Sequence, residues 1–185
     1  MHNVVLGIDP GLSHVGVAVV RFLVMRPSVL HVGTIEPGNT SETEKLDVIA
    51  PELWRLADLH RPEAIAIEDV SAVEVGMQAA GRTNKRSRRM HDVCGIARGI
   101  AAALGVPVYE ISSLTAKQTL TGSGRADKDQ MMAAARRLFG VADVSEHGAD
   151  ALGIAKAGHA RHNIATLRAY ANDSLRSRAL VGHER

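Results

Sequence analysis

The chain reads as one mixed α/β domain, and three observations carry that reading. Short apolar runs rich in β-branched residues end at turn residues, as buried strands do. Between them, apolar residues recur every three or four positions, as they do on helices. With 185 residues, 45% of them hydrophobic, the chain can bury one core of ordinary size and is thin for two. No internal repeat or linker-like stretch divides it.

The elements follow in order. Val4–Ile8 is a nearly continuous apolar run and predicts a buried strand that Asp9-Pro10-Gly11 ends. Gly16–Val20 and roughly Val29–Thr34 predict two more strands, and short turns suit an antiparallel trio. Ser41 and Glu44 have capping-box spacing, since each side chain can satisfy the other's orphan N–H. Leu46, Ile49, Leu53 and Leu56 continue as a helix that Pro51 is expected to kink. Ala64–Ile67 is the next buried strand, ending at Glu68. Val93, Ile96, Ala97, Ile100 and Leu104 mark a helix in which Gly95 and Gly99 would allow close packing. Val106–Tyr109 predicts a strand, with Pro107 favouring its end or a sheet edge. Short helices follow from Ser112/Ser113 to about Leu120, and from the Asp127 cap to Phe139, where Gly140 stops the helix. A last helix is expected from His147 to about His162. The domain thus spans 1–163, with 71–91 a basic insertion and 164–185 a polar, Arg-rich tail or frayed helix.

Composition excludes several classes of function. There is no run of about 18 apolar residues, so no transmembrane helix is expected. No secretory signal is legible, and the chain is expected in the cytoplasm. A lone Cys94 excludes a disulfide framework and multi-cysteine metal sites. Aromatics at 3% argue against a single-strand binder built on stacking platforms. Charge is unevenly spread: residues 1–75 carry 5 Lys/Arg against 11 Asp/Glu, and residues 76–185 carry 17 against 9. Arg82, Lys85, Arg86, Arg88 and Arg89 form a knot free of acids, which suits either a polyanion or a solvated helix face.

Asp9 and Glu68 both stand where a buried strand stops, the position at which ligand-facing residues gather in α/β sheets. Asp69 follows Glu68, so strand alternation lets only one of the two join Asp9. His147 and Asp150 share a helix face, and Glu146, four before Asp150, could share it too. Carboxylates suit Mg²⁺, which is usually held by one or two of them together with substrate phosphate. Two ions about 3.5–4 Å apart can hold the attacking water and the leaving oxygen of an in-line phosphoryl displacement. Each residue taken singly also has a plain reading, as a turn former or a helix-start residue.

Four blocks together resemble the RuvC family of Holliday junction resolvases. They are Leu6-Gly7-Ile8-Asp9-Pro10-Gly11 with Gly16, then Ala66-Ile67-Glu68, then Lys117-Gln118-Thr119 with Gly122–Lys128, and His147–Ala155. They occur in the family's order and span residues 4–160. The resemblance implies an RNase H-like fold, a mixed five-stranded sheet in which parallel strands follow the antiparallel three. It also implies a homodimer that nicks four-way DNA junctions symmetrically with two Mg²⁺ or Mn²⁺ ions, leaving 5′-phosphate ends. It assigns the metal site to Asp9, Glu68, His147 and Asp150, and phosphate contacts to Lys117 and Lys128. An imidazole at 147 suits Mn²⁺ better than Mg²⁺. Arg125, the basic knot and Arg136/Arg137 are then expected on the DNA backbone, and the dimer surface on helices Leu46–Leu59 and Ile96–Leu104.

Two features depart from the family pattern. No aromatic follows Glu68 in Asp69-Val70-Ser71-Ala72, leaving Met77 or Met90 to wedge between bases, and the stretch before Val93 is longer than usual. That insertion is expected to act as a junction-binding arm, and dependence on a branch-migration partner is left open. Rival readings are a related nuclease acting on structured RNA or forks, and a catalytically inactive junction binder. A kinase-type ATPase is disfavoured because no strand–GxxxxGK[ST]–helix loop is present.

Overall fold

A computed structural model describes residues 3–70 and 85–181. Three strands come first: β1 (Val4–Asp9), β2 (Val15–Arg21) and β3 (Ser28–Ile35). Helix α1 (Glu42–His60), β4 (Ala64–Glu68), α2 (Lys85–Leu104) and β5 (Val108–Ile111) follow. Helices α3 (Ser113–Thr121), α4 (Lys128–Phe139) and α5 (Glu146–Val181) complete the chain. The sheet order is β3-β2-β1-β4-β5. The first three strands are antiparallel, while β1–β4 and β4–β5 are parallel. This is the RNase H-like sheet, and it meets the expectation.

The two faces of the sheet are packed with side chains of different size. Leu6, Ile8, Val17, Val19, Ile65 and Ile67 meet Ile49, Leu53 and Leu56 of α1 and Val93, Ala97 and Ile100 of α2. Val5, Ala18, Ala64 and Ala66 face α3, α4 and α5, where Leu120, Met131, Phe139, Leu152 and Ile154 are buried. Small residues on this second face let α5 lie against the strands. A Cβ at Gly7 would overlap the Ala151 carbonyl oxygen, and one at Gly158 would overlap the Ala66 side chain.

Predicted caps form as expected. Ser41 Oγ accepts from Glu44 N while the Glu44 carboxylate accepts from Ser41 N, and Asp127 and Gln130 repeat the pattern on α4. Helix α1 continues from Glu42 to His60 with Pro51, which is exposed, inside it. Other expectations are corrected. Strand β5 starts after Pro107, whose carbonyl accepts from Ile65 N, so the strand lies two residues later than the apolar run suggested. Helix α2 begins at Lys85, so residues 85–91 of the expected basic insertion are helical. Gly95 and Gly99 meet no heavy atom within 4 Å of a built Cβ among the described residues, so they do not mediate close packing. Helix α5 continues to Val181, 36 residues and ~54 Å long. No Gly or Pro interrupts 159–181, which is why the expected polar tail propagates as helix. The apolar residues assigned to a dimer surface are largely spent inside the chain: Ile49, Leu53, Leu56 and Ile100 are buried. What α1 exposes is Val48, Trp54 and Leu59. No described helix is long and apolar enough to cross a membrane.

Candidate active site

Parallel pairing of β1 with β4 puts Ile8 opposite Ile67. Asp9 and Glu68 follow in the same register, one residue beyond that pair. Strand alternation then sends both carboxylates to the α5 face, while Asp69 takes the opposite one. Strand alternation alone left Glu68 and Asp69 as alternatives, and the residue that joins Asp9 is Glu68, the one the family blocks assign.

The start of α5 is pinned over these strand ends. Ser145 Oγ accepts from Gly148 N at 3.0 Å as a helix cap and hydrogen-bonds Thr34 Oγ1 of β3 at 2.8 Å. Gly16 of β2 makes room for the His147 backbone, since a Cβ there would overlap its carbonyl oxygen. Held this way, His147 Nδ1 donates to Asp9 Oδ2 at 2.8 Å. His14 stacks on the His147 imidazole, with centroids 5.3 Å apart and planes within 7°. The cleft has a volume of about 480 Å³ and is lined by Asp9, Glu68, Glu146, His147 and Asp150, with Leu12, His14 and Met90 at its sides.

The cleft is electrostatically strained. Burial, reinforced by the charges of Asp9 and Asp150, pushes Glu68 up to about 7. Burial and the Asp9 charge push Asp150 up to about 6, against the opposing pull of Lys117. His147 is raised chiefly by its hydrogen bond to Asp9. Ser113, at the start of α3, hydrogen-bonds Glu68 and favours its ionised form. Lys117 stands one helical turn beyond Ser113, which explains how α3 brings it within electrostatic reach of Asp150.

The cleft's carboxylates and imidazole are of the donor types that suit divalent cations. Among the described residues no three Asp, Glu, His or Cys side chains form a group that would hold one ion. The crowded, partly protonated carboxylates are instead what a site looks like when added positive charge would relieve it. Oxygen-rich pairs suit ions that take further ligands from water and phosphate.

Basic residues frame the mouth unequally. Lys128 Nζ lies 2.6 Å from Glu146 Oε1, which brings it to the cleft rim. Arg125 is exposed on the 122–127 loop, which Gln118 braces by donating to Gly122 O and accepting from Gly124 N. Arg136 and Arg137 are in the last turn of α4, ~12 Å along the helix from Lys128, and thus away from the cleft. Arg82 lies outside the described residues, as does Met77. Lys85, Arg86, Arg88 and Arg89 fall on the first turn of α2, and their side chains are also outside what is described. His14, Ser113 and the Glu146–Lys128 pair escaped the sequence reading. His14 and Ser113 carried no periodic or spacing signal, whereas Glu146 was visible only as a neighbour of Asp150.

Strand order and acidic cleft together define an RNase H-like domain of the acidic-site nuclease class. The sequence model of the family described as crossover junction endodeoxyribonuclease RuvC matches residues 5–158, and the chain belongs to that family. A crossover junction endodeoxyribonuclease RuvC from Anaeromyxobacter sp. (strain K) is 35% identical over 152 residues, covering 82% of this chain and 78% of the relative. The RuvC of Pelotomaculum thermopropionicum is 32% identical, covering 85% and 93%. Among solved structures, T. thermophilus RuvC in complex with a Holliday junction substrate superposes with a TM-score of 0.71 at 28% identity, covering 86% of this chain and 96% of that one. The yeast mitochondrial Holliday junction resolvase shares the fold, with a TM-score of 0.56 at 11% identity.

Proposed function

We propose that this chain resolves four-way DNA junctions by paired symmetric nicks that leave 5′-phosphate ends. The observation that carries the reading is the convergence of Asp9, Glu68, His147 and Asp150 in one cleft whose rim bears Lys117 and Lys128. The T. thermophilus relative bound to a Holliday junction supports the choice of substrate.

Asp9, Glu68, Asp150 and the His147 imidazole would hold two Mg²⁺ or Mn²⁺ ions, which when bound polarise the scissile phosphate and acidify water. The chain's own residues do the positioning. Ser113 hydrogen-bonds Glu68 and favours its ionised form against the burial that raises it, and the Asp9–His147 hydrogen bond presents the imidazole through its other nitrogen, a donor that favours Mn²⁺. Lys117 offsets charge that develops on the phosphate. Lys128 and Arg125 hold the flanking backbone, so junction binding falls steeply with salt. A symmetric junction requires two cuts, and a two-fold dimer places one site at each. The exposed Val48, Trp54 and Leu59 of α1 offer an apolar surface for it.

The test is cleavage of a mobile four-way junction beside a fork, linear duplex, single strands and structured RNA, in Mg²⁺, Mn²⁺ or EDTA. Paired nicks in the junction alone are expected, and Asp9→Asn should bind the junction without cutting it. Cutting of RNA or forks in preference would move the substrate to the related nuclease class. Retained cleavage by Asp9→Asn would overturn the site assignment.

A further inference from the structure

Among the described residues, His14 is the aromatic contact in the cleft that the proposed chemistry leaves without a role. It sits in the β1–β2 turn, is itself exposed, and lies parallel to His147. The turn has little freedom: Leu12 and Val15 on either side of it are buried, and Gly11 packs against the His14 carbonyl. His147 is thereby restrained from three points of a single strand–turn–strand segment. Asp9 takes Nδ1, His14 covers a ring face, and Gly16 seats the carbonyl.

These restraints do different work. With Nδ1–H committed to Asp9, Nε2 is the nitrogen left to accept a ligand. A single hydrogen bond does not fix an imidazole, because its terminal torsion is broad and the ring can swing about it. A flat neighbour on the ring face removes that freedom. A parallel ring can do this without donating or accepting anything.

We propose that His14 is a positioning residue that holds the plane of the His147 imidazole by stacking, so that Nε2 is presented as a ligand. The inference rests on the reading of the cleft as a divalent-metal nuclease site and adds to it the residue that orders the imidazole. It predicts that ring shape at position 14 matters and ring nitrogens do not.

The experiment compares the full chain with His14→Ala, His14→Phe and His14→Gln. Three quantities are read: Mn²⁺ affinity of the DNA-free protein from the electron paramagnetic resonance of free Mn²⁺, single-turnover cleavage of a four-way junction, and junction affinity in EDTA. His14→Ala is expected to weaken Mn²⁺ binding and slow cleavage about tenfold each, with junction affinity unchanged. His14→Phe should recover most of both losses, and His14→Gln should not. Recovery by Gln but not Phe, or a loss of junction affinity in His14→Ala, would show a polar contact to DNA instead and overturn the proposal. So would His14→Ala with wild-type Mn²⁺ affinity and cleavage. A wild-type chain that cuts no junction defeats the functional reading instead, while the Mn²⁺ measurement still judges the role of His14.

Discussion

The two faces of the sheet bury side chains of different kinds, and they serve different ends. Toward α1 and α2 the strands present Leu6, Ile8, Ile65 and Ile67, branched side chains that remove much apolar area from water. Toward α5 they present Gly7, Gly16, Ala18, Ala64 and Ala66, which bury little area each but let a helix approach closely. The first face supplies stability, and the second supplies geometry. Because Asp9 and Glu68 point to the second face, the precision of the candidate site depends on the residues that contribute least to hydrophobic burial. Mutations on the two faces should therefore separate activity from stability.

The largest effect is expected on the geometric face. Gly16→Ala forces the first turn of α5 off β2, shifting His147 and Asp150, and cleavage should fall by about 100-fold, the cost typical of a 1 Å misplacement. Measured against the melting temperature, the activity loss should far exceed the stability loss; equal losses would mean that the second face is merely packing. Leu53→Ala reverses the pattern. It empties a fully buried position of α1 and should cost about 3 kcal/mol in a denaturant titration, while cleavage well below the melting temperature stays at the wild-type rate.

Within the cleft, Glu68→Gln sharpens the comparison through pH. The folded-state pKa of Glu68 is raised to about 7 from an ordinary 4.5, so the folded protein binds the extra proton across that window. Stability in metal-free buffer therefore falls as pH rises from about 4.5 through 7. Glu68→Gln removes the crowded charge, and it should be more stable than wild type at pH 8 by roughly 2 kcal/mol, with no advantage at pH 4. Thermal melts at both pH values check this. Mg²⁺ should raise the wild-type melting temperature at pH 8 and leave Glu68→Gln less affected, and its affinity for the wild type should weaken below pH 7 as the carboxylates protonate. The smallest effect is expected where α5 leaves both faces. Ile164, Leu167 and Tyr170 are exposed there, so ending the chain after Asn163 should change stability by no more than about 0.5 kcal/mol. A larger drop would show that this part of α5 is covered by a partner.

Much of this was legible before any coordinates. Local signals sufficed wherever the physics is local: the Ser41–Glu44 box and the Asp127 cap act over three residues, and Val4–Ile8 or Ala64–Ile67 need only their own composition to read as buried strands. Family blocks located Asp9, Glu68, His147 and Asp150, and these four do line one cleft. Local signals failed at boundaries that neighbours decide. The apolar run placed β5 two residues early, because its start is set by parallel pairing with β4, in which Val108 stands opposite Ile65.

By itself, the sequence determined the number and order of strands, the helix caps, and the residue types able to hold divalent ions, because each depends on short-range patterning or on side-chain chemistry. The tertiary structure supplied the physical reason why Glu68, which the family blocks had already picked over Asp69, joins Asp9: the register of β4 against β1 and the face that α5 covers. It alone brought Ser113 to Glu68, Lys128 to Glu146 and His14 to His147, pairs between 18 and 133 residues apart in the chain. The physical reason is the same in each case. A contact between distant residues is set by how helices seat on the sheet, and here that seating is controlled by glycines whose importance lies in the side chain they lack.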